Sequence, residues 1–348
     1  MAGFAVIAFL SLVGHNLASP ESVIRPGREF DPLVRETFAT ATDPAGRMTV
    51  LTTVNGKGPF PFTVDTGANR SVISDRLATE LGISASGTVT IEGLVGPDQV
   101  DSVRLDHVSV GSTHQYAIDT AVLPATSLGA TGFLGTDMLQ DRNVEFDFKR
   151  HRITLTRSRG RGSGEDGTTI VVTARRRLGQ LVVTDASVAG HKVVAIIDTG
   201  AENTVGNPAL RKALLGDKPV GQLGELIGVT GKSIPGEVGL VPQIRIGDLR
   251  LGNMPVVFAN PHTFHLFKLD NVPAVLIGMD VLRLFNRVAI DFTDKEVRFN
   301  IGDNWNPHTL QALNRPRNEG KDDGGARLLA RADQAGAGLD SGRDLFRH

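Results

Sequence analysis

Short apolar runs rich in β-branched residues, each stopped by a glycine turn, set the pattern of this chain. Thr49 to Val54 is one such run; it stops at Asn55-Gly56-Lys57-Gly58 and the pattern resumes from Phe60 to Val64. Much later Leu181 to Val188 stops at Ala189-Gly190-His191, and Val193 to Ile197 resumes. β-Branched and aromatic residues suit a half-buried pleated surface, and Gly or Asn at the breaks supplies the backbone angles a tight turn needs, so both stretches predict hairpins. Helix is predicted sparingly. Ser74 and Asn207 each stand before a short helical pattern as N-caps, Pro208 fits a first helical position, and Gly82 and Gly216 stop the two helices.

These matching elements belong to a repeat. Val64-Asp65-Thr66-Gly67-Ala68 returns as Ile197-Asp198-Thr199-Gly200-Ala201, 133 residues later. Val103-Arg104-Leu105 through Gly111 matches Ile244-Arg245-Ile246 through Gly252. Phe133-Leu134-Gly135-Thr136-Asp137-Met138-Leu139 matches Leu276-Ile277-Gly278-Met279-Asp280-Val281-Leu282, and Phe146-Asp147-Phe148 matches Ile290-Asp291-Phe292. The offset only grows along the chain, as it must for two collinear copies that differ by small insertions. The fold expected is mainly β, with two small lobes of ~110 residues each, over 48–157 and 178–301.

The remaining segments read differently. Gly3 to Val13 is apolar apart from Ser11. About a dozen residues is short of the ~20 that cross a bilayer and right for the apolar region of a secretory signal. Residues 1–18 are therefore expected as a signal peptide, with Ala18 as the cleavage point and export to the periplasm or the outside. The alternative is a cytoplasmic protein, or one held at a membrane by this end. Residues 19–47 are an N-terminal extension. The Gly, Ser and Arg content from Arg157 onward predicts a flexible linker over 158–177, in which Arg175-Arg176-Arg177 is a solvated turn. Periodicity is lost after Ile301, so 302–348 is expected as a mostly disordered tail.

Composition narrows the chemistry. Lys and Arg number 37 against 38 Asp and Glu, so no overall field draws the chain to nucleic acid. Cysteine is absent, which excludes disulfides, thiol nucleophiles and cysteine-ligated metals. What remains is Asp-Thr-Gly, twice, each directly after an apolar strand. A carboxylate at the end of a buried strand needs a loop that turns sharply and offers N–H donors, which Gly allows. Thr is stiff, and its hydroxyl can bond across to another backbone. If two such loops face each other, the carboxyls cannot both ionise and must share a proton. One member then activates a water as a base, and the other bonds a substrate carbonyl as an acid.

On these residues the chain resembles the aspartic peptidases, and most closely their retropepsin-like group, on the run Asn-Gly-Lys-Gly-Pro-Phe-Pro-Phe-Thr-Val-Asp-Thr-Gly-Ala at Asn55 to Ala68. The resemblance implies a two-lobed acid-protease fold with closed, barrel-like β lobes related by a pseudo-two-fold axis. It implies an aspartic endopeptidase with Asp65 and Asp198 as the catalytic pair and no cofactor or metal. Thr66 and Thr199 would brace the two loops, while Gly67 and Gly200 supply N–H groups and clearance. Leu134-Gly135 and Ile277-Gly278 would pass under those loops, with Asp137 and Asp280 opening the following helices. Substrate-covering flaps would lie near Gly93-Leu94-Val95-Gly96 and Gly228-Val229-Thr230-Gly231. The partner implied is a polypeptide substrate, with no nucleic acid and no stable membrane span, bound by a monomer whose two lobes form an internal pseudo-dimer. The chain departs from the pepsin branch in lacking a flap tyrosine, since its one Tyr, Tyr116, follows the Val108-to-Gly111 strand. The rival reading keeps the fold as a non-catalytic peptide-binding module.

Three other features carry less. Gly231-Lys232-Ser233 lacks the first glycine of a phosphate-binding loop, Leu226 standing in its place. His262 and His265 read as surface-loop residues rather than metal ligands. Asp147 and Asp291 read as outward-facing strand positions.

Overall fold

A computed structural model describes residues 35–139, 141–157, 169–218 and 221–301, with three short strands nearer the N-terminus at Gly3–Ile7, Ser11–Leu12 and Arg28–Glu29. The protein is mainly β and two-lobed, with an acid-protease-like fold. The tail expected over 302–348 and residues 158–168 of the expected linker lie outside the described residues, as does most of 1–18.

Each lobe closes a ring of six strands. In the first, Met48–Val54, Lys57–Val64, Gly132–Leu134, Val72–Ser74, Thr113–Leu123 and Pro97–Val110 pair in turn, and the last returns to Met48–Val54. In the second, Gln180–Val188, His191–Ile197, Ala274–Ile277, Val205–Gly206, Leu249–Phe258 and Ser233–Ile246 do the same and close on Gln180–Val188. The tight hairpins at their heads follow from residue type. Asn55 and Gly56 have φ of 49° and 73°, and Ala189 and Gly190 have 46° and 85°. Such paired left-handed residues twist with the flanking strands. Alternate residues turn inward, and Val50, Phe62, Val64, Val183, Ala195 and Ile197 fill the ring interiors as part of one continuous core.

The helices fall where the caps place them. The side chain of Ser74 accepts a hydrogen bond from Leu77 N at the start of Asp75–Leu81, and Gly82 closes that helix in the left-handed region. Asn207 accepts from Leu210 N at the start of Pro208–Leu215. Among the described residues no helix is long and apolar enough to cross a membrane.

A third sheet joins the lobes, in the order Thr169–Thr173, Glu296–Asn300, Arg287–Asp291, Arg142–Asp147, Arg152–Arg157, Glu36–Ala39. Its centre is the antiparallel pairing of Arg142–Asp147 with Arg287–Asp291, one strand from each lobe. Val144, Phe146, Val288 and Ile290 on those two strands are buried in the common core, which fixes the lobes to each other.

Two expectations are corrected here. The described part of the expected linker is not coil: Thr169–Thr173 pairs with Glu296–Asn300, and Arg175–Arg177 pairs with Gln180–Val182. The run Thr-Ile-Val-Val-Thr is strongly β-forming, and the open edge beside Glu296–Asn300 supplies the partner that its Gly- and Arg-rich neighbours conceal. Asp147 and Asp291 are buried, not outward-facing. Each carboxylate turns back on its own chain: Asp147 Oδ1 accepts from Arg150 N, and Asp291 Oδ1 accepts from Thr293 N and Asp294 N. They cap the turns that follow their strands.

Candidate active site

The strands ending in Val64 and Ile197 deliver the two Asp-Thr-Gly loops to one place. Val64 pairs with Leu134 and Ile197 with Ile277, both in parallel. The ladders continue one bond further, from Asp65 N to Leu134 O at 2.9 Å and from Asp198 N to Ile277 O at 3.1 Å. Each aspartate is thereby pinned at a strand end with its side chain free to follow the turn.

Within each loop the carboxylate is held by its own backbone. Asp65 Oδ1 accepts from Gly67 N at 2.7 Å and Ala68 N at 3.0 Å. Asp198 Oδ1 accepts from Gly200 N at 2.8 Å and Ala201 N at 3.2 Å. Neither Oδ2 takes a hydrogen bond from any other described residue. Those two oxygens are what the pair can offer to a shared proton, a water or a substrate.

The threonines tie the loops together across the pseudo-two-fold axis. Thr66 N donates to Thr199 Oγ1 at 3.0 Å, and Thr199 N donates to Thr66 Oγ1 at 3.1 Å. Thr199 Oγ1 in turn donates to Val64 O at 2.8 Å, and Thr66 Oγ1 reaches Ile197 O at 3.4 Å. Replacing Thr199 by Val would leave a buried N–H and a buried carbonyl without partners. A loss of about 2–6 kcal/mol is expected, since each such group costs roughly 1–3 kcal/mol. Thr199→Ser should lose far less; urea unfolding of the two variants checks this, and equal losses would mean that the methyl group, not the hydroxyl, carries the effect.

Close approach of the loops demands both glycines. A side-chain carbon on Gly67 would fall on the carboxyl of Asp198, and one on Gly200 would fall on the carboxyl of Asp65. Both aspartates are fully buried, 0% exposed. Burial, which penalises the charged form, is the largest cause that raises both carboxyls above the ordinary range. For Asp65 the neighbouring Asp198 charge raises it further, and hydrogen bonds from Gly67 and Ala68 oppose the rise. The result is a pair that holds a proton well above the usual carboxylate range.

The floor beneath repeats in both lobes. Thr136 N donates to Ala68 O and Met279 N to Ala201 O, both at 2.8 Å. Ser71 Oγ donates to Asp137 Oδ1 at 2.8 Å and accepts from Gly135 N; Thr204 Oγ1 donates to Asp280 Oδ1 at 2.7 Å and accepts from Gly278 N. Asp137 and Asp280 thus brace the chain under the loops rather than face the dyad.

Above the loops stand two hairpins. Gly93-Leu94-Val95-Gly96 joins Gly87–Glu92 to Pro97–Val110, and Gly228-Val229-Thr230-Gly231 lies at the turn between Gln222–Gly228 and Ser233–Ile246. Their tips exchange lobes. Leu94 is buried among Ile196, Ala201, Leu226 and Phe264 of the second lobe, and Val229 among Ala68, Leu123, Leu128 and Phe133 of the first. Polar contacts bind the hairpins to each other: Thr230 Oγ1 donates to Asp98 Oδ2 at 2.9 Å, and Lys232 Nζ donates to Asp98 Oδ1. Gly231-Lys232-Ser233 is thus part of a hairpin turn.

Two family models match the chain in tandem: a gag-polyprotein aspartyl protease model over residues 50–141 and an aspartyl protease model over residues 182–281. Both are aspartyl protease models and together they cover more than half of the chain, which belongs to the aspartic protease family. Each match holds one Asp-Thr-Gly loop, so the two halves of the candidate site come from two family units in one chain. A comparison with curated proteins finds no match.

The sequence pattern did not reveal several contributors to the candidate site. Arg47 and Gln180 reach across the lobes to the Asp-Thr-Gly loops. The signal was present: a long polar side chain stands at the head of each buried run, the same number of residues before each aspartate. His262 is misplaced by the surface-loop reading. It lies on the helix His262–Leu266, where its Nε2 is 2.9 Å from Glu92 Oε2 and its N donates to Leu94 O, so it supports a hairpin tip. His265 pairs separately with Asp270. Among the described residues no group of three or more His, Asp and Glu is placed to hold a metal ion.

Proposed function

We propose that the protein is an aspartic endopeptidase that hydrolyses peptide bonds with a water activated between Asp65 and Asp198. The observation that carries the reading is the pair itself: two fully buried carboxyls on facing loops, each tied by two backbone N–H groups on Oδ1 and open on Oδ2. With one proton between them, the ionised member takes a proton from water as its oxygen bonds to the carbonyl carbon. The other member gives its proton to the carbonyl oxygen. Collapse of the tetrahedral diol breaks the C–N bond: the member that took the water proton gives it to the leaving nitrogen, and the other takes back a proton from a diol hydroxyl, which restores the starting pair. No charge needs to leave the site.

The substrate is an extended polypeptide, held as an added strand under the two hairpins, which act as flaps. Support comes from the chain's own N-terminal residues. Gly3–Ile7 runs parallel to Gln222–Gly228, and Ser11–Leu12 runs antiparallel to Gly87–Glu92. The outer strand of each hairpin can therefore take a backbone ladder from an extended segment. Because the aspartates are fully shielded and the hairpins are bonded to each other through Asp98, substrate must part the flaps to reach them. The working unit is a monomer, exported from the cytoplasm.

Incubation of the purified protein with a denatured protein mixture, with and without pepstatin, tests the reading. Cuts within polypeptides that pepstatin blocks and EDTA leaves untouched are expected. Cuts that persist in Asp65→Asn protein, or no cuts at any pH from 3 to 8, would overturn it.

A further inference from the structure

Arg47 is fully buried, 0% exposed, and lies next to the site without entering the Asp-Thr-Gly loop of its own lobe. Its Nε donates to Asp43 Oδ2 at 2.6 Å, one terminal nitrogen donates to Leu128 O at 2.8 Å, and the other donates to Gly200 O at 3.2 Å. Its guanidinium carbon sits 4.7 Å from the centre of the Phe133 ring. Gly200 O belongs to the peptide whose N–H is that of Ala201, and Ala201 N donates to Asp198 Oδ1. The pseudo-symmetric position in the second lobe is Gln180, also buried. Its Nε2 donates to Gly67 O, and the N–H of that same peptide, Ala68 N, donates to Asp65 Oδ1. Each aspartate therefore stands at the end of the same relay: side chain of the opposite lobe, carbonyl, peptide, N–H, carboxylate. The relay to Asp198 starts from a cation and the relay to Asp65 from a neutral amide.

A donor on the carbonyl polarises the peptide and strengthens its N–H as a donor, and a charged donor does so more than a neutral one. On this basis we propose that Arg47 is a positioning residue that makes the two aspartates inequivalent, holding Asp198 as the ionised base and leaving the shared proton on Asp65. This rests on the peptidase reading for its catalytic meaning. In the mechanism it fixes the direction of the reaction: Asp198 takes the proton from water and Asp65 gives its proton to the carbonyl oxygen. The Arg47 charge itself lowers both carboxyls, so the inequivalence comes from the hydrogen-bonded relay, which reaches Asp198 and not Asp65. The charged groups around Arg47 are Asp43, which also accepts from Thr63 Oγ1, and Glu202, which in turn feels Arg283 and Asp280. Asp43 neutralises part of the charge but leaves the hydrogen bond to Gly200 O in place.

The test is carbon-13 NMR of the aspartate carboxyls of the full chain through a pH titration, with Asp65→Asn and Asp198→Asn supplying the assignments. Wild type should show two well-separated dyad responses, Asp198 charging first. Arg47→Gln makes the two relays chemically alike and should narrow the separation by about one pH unit, the size of a lost charge-assisted interaction. Gln180→Met removes the neutral relay and should widen it. The acidic limb of hydrolysis should move up in Arg47→Gln by a similar amount. If Arg47→Gln strands Asp43 and does not fold, Arg47→Gln with Asp43→Asn takes its place. A folded variant with an unchanged separation, or both variants moving it the same way, overturns the proposal. The titration needs no substrate, so a chain that shows the asymmetry but cleaves nothing would sink the peptidase reading and leave this inference standing.

Discussion

Asp65→Asn and Asp198→Asn are each expected to lower hydrolysis by about 10³–10⁴-fold, the scale of a lost acid–base partner, and at the same time to make the fold more stable at neutral pH. The second half follows from the burial of the pair. Both carboxyls are raised above the ordinary range, chiefly by desolvation. A carboxyl raised by folding favours the native state fully below its unfolded value near 4, and that contribution is lost as pH rises through its folded value. At pH 7 the native chain therefore carries a charge it would rather lose, and Asn removes it. A gain of order 2 kcal/mol at pH 7, shrinking towards zero by pH 4, is expected from thermal unfolding of each variant. Equal stability differences at both pH values would show that the carboxyls are not raised.

Gly67→Ala and Gly200→Ala should be the most damaging substitutions that change no ionisable group. The added carbon of each falls on the aspartate of the opposite loop. The loops can accept it only by moving apart, which breaks the exchange of hydrogen bonds between Thr66 and Thr199. Overpacking of this kind costs about 1–3 kcal/mol, and the broken exchange adds to it. Activity should fall to background in both, because a pair of carboxyls held apart no longer shares a proton. Retention of a tenth of wild-type activity in either variant would mean that the loops tolerate a wider spacing than this geometry allows.

The parts of the fold legible in the sequence are those set by local pattern. The hairpin at Asn55-Gly56, the caps at Ser74 and Asn207 and the doubled Asp-Thr-Gly each depend on residues within a few positions of one another. The repeat then placed the two loops in equivalent settings without any knowledge of their contacts. What stayed hidden depends on distant partners. Thr169–Thr173 becomes a strand only because Glu296–Asn300 offers it an edge. Asp147 and Asp291 look like exposed alternating positions until their turns fold back on them. The resemblance places Leu94 and Val229 in the flaps, but only the crossing of the hairpins gives each a pocket in the other lobe. Arg47 is the clearest case. It falls in the N-terminal extension of the sequence reading; its match with Gln180, at the same distance before each aspartate, is a sign within the sequence, but its acceptors Gly200 and Leu128 lie far along the chain.

The central claim is that one chain builds one catalytic pair from its two lobes. The direct test compares hydrolysis of a denatured protein by wild type, by Asp65→Asn, by Asp198→Asn, and by an equimolar mixture of the two variants. A dyad built within each chain predicts cleavage by wild type alone, with the mixture as inactive as either variant. Recovery of cleavage on mixing would show that the pair forms between chains and would contradict the account.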